Sequence, residues 1–139
     1  MKEKKVTPQM YKKFITKLSL KEIKMLSAAA KVEKDFSPPA SVKIKDNKKY
    51  EVLGEGSFRV LQEYTLQATE SGEKRIRFEV KALYSLIYSS EVPITDEIFK
   101  IFSYSNLTLH TWPYFRQFVH EMTLRMNLPP LLLDVIRVK

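Results

Sequence analysis

The chain has no cysteine and only three glycines among its 139 residues. The first absence removes disulfide frameworks, thiolate metal sites and cysteine nucleophiles, and it fits a reducing compartment. The second, set beside seven prolines, leaves few tight turns. Long apolar runs are missing too: none approaches the roughly 20 residues a membrane-spanning helix needs. The start, Met1-Lys2-Glu3-Lys4-Lys5, is charged and lacks the apolar stretch of a secretory signal. The expectation is a cytoplasmic protein with no membrane insertion. Catalytic signatures are equally sparse. His110 and His120 are the only histidines, with no partner at metal-box spacing. There is no Gly-x-Ser-x-Gly elbow and no carboxylate pair in an acid/base context. The residues therefore read as a non-enzyme, with no catalytic residue, no metal and no cofactor.

What is present is an uneven charge. Residues 1–49 hold 14 lysines, no arginine and five acids, a net of +9, whereas residues 50–139 sum to −1. A basic half attracts nucleic acid, anionic lipid or acidic protein. These are scattered lysines, however, without the arginine forks and stacking aromatics of sequence-specific readers, so nucleic acid is the weaker reading. A chain of this length makes one domain. Residues 1–10 read as a basic flexible tail and residues 11–139 as the domain itself.

Along the chain, 11–25 is strand-like but changes phase. Phe14, Leu18 and Leu20 take one side while Ile15, Ile23 and Met25 take the other, which calls for a bulge near Leu20–Glu22. Ser37-Pro38-Pro39-Ala40 forces an extended crossover. Ser41 to Val52 spaces Val42, Ile44, Tyr50 and Val52 as a weak, lysine-rich edge strand. Gly54-Glu55-Gly56 lacks the third glycine and following helix of a dinucleotide loop and reads as a bend. Phe58, Val60, Tyr64, Leu66 and Ala68 alternate with polar residues. After Ser71-Gly72 a second strand returns through Ile76, Phe78, Val80 and Ala82, with Arg75, Arg77, Glu79 and Lys81 on its wet face. From Leu83 to Tyr88 the alternation fails: both faces are apolar and both need a cover. Thr95-Asp96-Glu97 opens a helix with Ile98, Ile101, Phe102 and Leu109 on its apolar side.

The last third is the most informative. Trp112-Pro113-Tyr114-Phe115-Arg116 opens a helix, with Pro113 in its first turn. Phe115, Phe118, Val119, Met122 and Met126 form its stripe. Asn127 tolerates the left-handed conformation of a helix end, and Pro129-Pro130-Leu131 stops it. The tail Leu131 to Lys139 is apolar and β-prone and is expected to dock along the body.

This pattern resembles the C-terminal half of SecB-type chaperones, and Ile15 to Met25 is similar to that family's first strand. The resemblance spans most of 13–139, with the middle crossover poorly matched. It implies an α+β fold, a four-stranded antiparallel sheet with a long C-terminal helix packed across it, assembled as a homotetramer (a dimer of dimers). It also implies an ATP-independent holdase for unfolded or aggregation-prone polypeptides. The large or adaptable apolar residues expected to form client-binding grooves are Met25, Phe36, Leu83, Tyr84, Leu86, Trp112, Phe115, Val119 and Met122. For each of them the alternative is ordinary core packing. In the export branch of the family, acids on the sheet meet the SecA motor, and Glu22 and Glu79 match such positions. Leu26 and Arg77 depart from that pattern, standing where an acid and an apolar residue are usual. Pro129-Pro130-Leu131 followed by Arg137-Val138 is similar to SecB-like chaperones of toxin–antitoxin–chaperone systems, which implies an antitoxin as client. The alternative to a chaperone is a basic nucleic-acid-binding or protein-interaction module of the same α+β class.

Overall fold

The computed structural model describes residues 5–37, 40–70 and 72–128. In chain order these form α1 (Pro8–Thr16), β1 (Leu18–Val32), β2 (Ala40–Gly54), β3 (Ser57–Glu70), β4 (Phe78–Ser90), α2 (Asp96–Tyr104) and α3 (Asn106–Arg125). The strands make one sheet in the order β1-β4-β3-β2, and every neighbouring pair is antiparallel. β1 and β2 are consecutive in sequence yet occupy opposite edges. The expected crossover therefore exists, although Pro38 and Pro39 at its centre lie outside the described residues.

The centre of the sheet follows from alternation. Phe58, Val60, Tyr64, Leu66 and Ala68 of β3 are buried, as are Phe78, Val80, Ala82, Tyr84, Leu86 and Tyr88 of β4. Even positions of the two strands lie opposite each other (Phe58 with Tyr88, Tyr64 with Ala82), so they share one face. The helices cover that face: Phe14 of α1 stacks on Phe58, Phe102 of α2 meets Tyr88 edge-on, and Phe115 of α3 stacks on Tyr64 at 4.8 Å. The α+β architecture implied by the two sequence motifs is the one observed.

Three local expectations need correction. The first is the start. Residues 11–16 are helix rather than strand, and the helix begins inside the segment expected to be a tail. Thr7 caps it, its hydroxyl accepting from the Met10 amide at 3.1 Å, and Pro8 supplies a pre-set first turn. Tyr11, Phe14, Ile15 and Leu18 fall at i, i+3, i+4 and i+7, a helical stripe that the strand reading overlooked. The expected bulge is real: register shifts occur between Leu20 and Glu22 and again between Met25 and Ser27.

The second correction concerns Arg77, placed by alternation on a wet face. β4 starts one residue later, and Arg77 is 7% exposed. Its guanidinium meets Glu33 at 2.7 Å, Asp35 at 2.9 Å, Glu73 at 3.4 Å and Glu70 at 3.6 Å. Its backbone joins Ala68 and Glu33. Five donors in a rigid fork suit one cation to several carboxylates, and the cluster ties the β3–β4 connection to the segment after β1.

Third, α3 begins at Asn106, so Pro113 lies within the helix instead of in its first turn. The missing N–H frees the carbonyl of Leu109. Pro113 and Leu109 are both exposed, so water can reach that carbonyl. Leu109 was expected on the apolar side of the preceding helix; instead it sits on the outer face of α3, 55% exposed. The exit is as expected. Asn127 adopts φ 56, Leu128 N–H donates to the Thr123 carbonyl and Asn127 N–H to that of Leu124, a Schellman closure. Pro129, Pro130 and the tail from Leu131 lie outside the described residues.

Over Leu83–Tyr88, where both faces call for a cover by helices, a partner subunit or a bound chain, the helices of this chain cover one. Tyr84, Leu86 and Tyr88 lie under the helices, whereas Leu83 and Ile87 are half-buried on the opposite, helix-free face.

Candidate functional site: a trough beside the long helix

The register of β1 decides which of its residues face the helices. Ile23 lies opposite Leu86, Met25 opposite Tyr84 and Ala28 opposite Ala82, so these share the covered face. α3 crosses that face over the central strands and leaves β1 uncovered. Its buried line is Leu107, Thr111, Phe115, Val119 and Thr123, four-residue steps, with Trp112 beside them. Phe118 and Tyr114 project from the flank nearer β1. Between flank and strand runs a trough of about 300 Å³ lined by Ile23, Lys24, Met25, Tyr84, Tyr114, Gln117, Phe118 and Glu121. Met25 is 41% exposed and Tyr114 49%, and Leu26 beside them is 48% exposed. The lining is mixed: Ile23, Met25, Tyr84, Tyr114 and Phe118 give apolar contact between the polar ends of Lys24, Gln117 and Glu121, a wall that can meet an extended chain without requiring one sequence.

Tyr84 forms part of the lining. Its ring stands 6.5 Å from that of Tyr114. Its hydroxyl is buried with no hydrogen-bond partner among the described residues, and burial pushes its pKa up to about 12. Further along the same face the tyrosines are satisfied: Tyr64 exchanges a hydrogen bond with Thr111 and Tyr88 with His110 Nδ1, each at 2.7 Å. Burial holds the His110 imidazole below its ordinary pKa, which keeps it neutral.

The expected client residues separate into three groups. Met25 and Tyr84 line the trough, whereas Met122 of α3 is half-buried and is not part of that lining. Leu86, Phe115 and Val119 are 0% exposed, and Phe36 and Trp112 are almost fully buried. These five belong to the core: Phe36 stacks on Phe78, and Trp112 packs against Tyr64 and Phe115. Leu83 is on the opposite face of the sheet. Sequence reasoning missed Ile23, Tyr114 and Phe118 as trough residues. Phe118 and Tyr114 carried a signal, since they lie off the centre of the helical stripe, but only the position of the sheet shows which flank stays open.

Glu22 and Glu79 share the helix-free face, opposite Ile87 and Lys31 respectively. Glu22 is exposed, whereas Glu79 accepts from Gln67 at 2.8 Å and pairs with Lys31 at 3.8 Å. Two other hollows lie beside the 91–93 segment, one of about 270 Å³ against the β2–β3 turn and one of about 470 Å³ against α1. No group of three or more His, Asp or Glu side chains is placed to hold a metal among the described residues. No helix among them is long and apolar enough to cross a membrane.

A four-stranded antiparallel sheet in the order β1-β4-β3-β2, with a long helix laid across one face, is the fold of SecB-like chaperones. A SecB-like chaperone from Mycobacterium tuberculosis, solved in complex with a ChAD peptide from the HigA1 antitoxin, superposes with a TM-score of 0.75. The alignment covers 88% of this chain and 93% of that one, at 16% sequence identity. A protein of unknown function from Streptococcus agalactiae aligns over 85% of this chain and 97% of its own, with a TM-score of 0.46 and 10% identity, too loose to add to the argument. No protein-family model and no curated protein sequence matches the chain. The similarity thus lies in the fold, with little left in the sequence.

Proposed function

We propose that this protein is an ATP-independent, non-enzymatic holdase chaperone that shelters apolar segments of unfolded polypeptide in the trough between β1 and α3. The observation that carries the reading is the trough itself: Met25 and Tyr114 exposed above Tyr84 and Phe118, on a fold shared with a SecB-like chaperone. The client set is revised accordingly to Ile23, Met25, Tyr84, Tyr114 and Phe118. Methionine suits such a wall because its unbranched chain adapts to many partners. The protein works in the cytoplasm and needs no metal or cofactor.

For the client, we favour a dedicated antitoxin over preproteins bound for export. The fold neighbour is bound to an antitoxin peptide, and Glu79, one of the two acids a SecA motor would meet, is already engaged by Gln67 and Lys31. Assembly as a dimer of dimers is part of the same proposal. Leu20, Leu26, Leu109 and Leu124 are each at least 39% exposed, and symmetric association is the usual way to cover such surface.

The test is aggregation of a chemically denatured model protein, followed by light scattering without nucleotide. Stoichiometric chaperone should suppress the signal, and Met25→Glu should remove the suppression while far-UV circular dichroism stays unchanged. Scattering unaffected by a several-fold excess of the unmodified protein would refute the holdase reading. A mass of one protomer in dilute solution would refute the tetramer.

A further inference from the structure

The two walls of the trough carry opposite charges at different points along its length. α3 and β1 run beside each other in the same direction. His110 bonds Tyr88, which pairs with Leu20, and the Tyr114 ring stands beside Tyr84, which pairs with Met25. Lys24 therefore lies close to the level of Tyr114. Glu121 comes seven residues after Tyr114 on α3, which is about 10 Å of helix. Met25, Gln117 and Phe118 fill the interval.

Lys24 reaches this site against the alternation of its strand. It lies opposite Ser85, which assigns it to the helix-free face, yet it lines the trough. β1 is an edge strand and its register shifts just beyond, between Met25 and Ser27. A lysine stem is long enough to pass round such an edge with its ammonium in water. Lys24 and Glu121 are both exposed, and neither makes an ion pair with a described residue. Glu121 is unpaired even with Arg125, one turn further along the helix.

We propose that the trough selects extended apolar segments bracketed by one acidic and one basic residue, the acid beside Lys24 and the base beside Glu121. The proposal rests on the holdase reading and names the class of client for the same site. An extended chain rises about 3.3 Å per residue, so the two charges belong roughly three to four positions apart. The apolar residues between them lie along Met25, Tyr84, Tyr114 and Phe118. Exposed charges of this kind add little affinity, but they reject wrong partners and fix the direction of a bound chain. A segment with two like charges meets its own sign at one end of the trough whichever way it lies.

The test uses the full chain and short peptides with one core of Leu and Phe, carrying an uncharged dye and followed by fluorescence anisotropy. The core is bracketed by Gln and Gln, Glu and Lys, Glu and Glu, or Lys and Lys. The unmodified protein should bind the Glu–Lys peptide about threefold more tightly than the Gln–Gln peptide, and the like-charged pair more weakly than Glu–Lys. Lys24→Glu should move the preference to Lys–Lys and Glu121→Lys to Glu–Glu. The doubly reversed protein should return it to Glu–Lys. All four proteins should bind Gln–Gln equally, and high salt should level the ranking. An unchanged ranking across the variants, with Gln–Gln still bound, would overturn the charge selection and leave the holdase reading standing. No binding of Gln–Gln to the unmodified protein would refute the trough as a client site, and this proposal with it. Peptide that splits an assembly into smaller species would make a second copy the occupant. A several-fold gain in affinity on Leu132→Glu would make it the chain's own tail, and either result would refute the assignment.

Discussion

The inner strands β3 and β4 and the outer strands β1 and β2 have similar lengths but opposite burial. Nearly every even position of β3 and β4 is buried, whereas neither β1 nor β2 has a fully buried residue. The inner pair lies beneath the three helices and supplies most of the core. The outer pair is held by its ladder and by partial contacts such as Tyr50 against Phe99 at 4.6 Å. Stability is therefore concentrated in the middle of the sheet, and among the described residues the edge strands contribute less burial.

That contrast is broken most severely by emptying its centre. Phe115→Ala removes a ring that stacks on Tyr64 and is fully buried; a loss of about 3–5 kcal/mol is expected. Urea unfolding should show the midpoint falling at unchanged slope. A fall no larger than that of an edge substitution would erase the distinction between the two regions.

The next effect lies where the inner strands join the end of β1. Arg77→Met leaves Glu33, Asp35, Glu70 and Glu73 without the cation they share. The melting temperature should drop, with Arg77→Lys intermediate, since an ammonium cannot fork to several carboxylates. Equal melting of the Met and Lys variants would mean that the fork geometry contributes nothing.

A smaller, pH-dependent effect belongs to His110. Its folded pKa lies below the ordinary 6.5 because it is buried, so the unfolded chain takes up the proton more readily. The neutral imidazole's contribution to stability is therefore present above about pH 6.5 and is lost as pH falls below it toward the folded value. Unfolding midpoints measured from pH 7.5 down to pH 5 should fall, and His110→Gln should flatten that part of the profile. An unchanged slope in the variant would exclude His110 as the source.

The smallest changes should come from the edges. Val42→Thr and Met25→Thr are expected to shift stability by no more than about 0.5 kcal/mol. In the aggregation assay, however, only Met25→Thr should reduce suppression. A stability loss comparable to that of Phe115→Ala would show that β1 and β2 are as much core as β3 and β4.

The sequence by itself determined β2, β3 and β4, the cap of α2 at Thr95 and the Asn127 end of α3, because period-two burial and helix-end chemistry are local. It also carried the bulge in β1, since a bulge shifts the phase of alternation within one strand. It held the start of α1 as well, in Thr7-Pro8 and the Tyr11–Leu18 stripe, but that signal lay under a competing strand pattern. Only the tertiary structure decided which apolar residues are core and which are surface. Leu86, Phe115, Met25 and Phe118 look alike as residue types. α3 crosses over β3 and β4 and stops short of β1, burying the first two and exposing much of Met25. Arg77 was settled in the same way: alternation sends it to solvent, and its four carboxylates come from segments that only folding brings together. Burial is a property of how elements stack, and one chain's pattern fixes the faces of its elements before it fixes their neighbours.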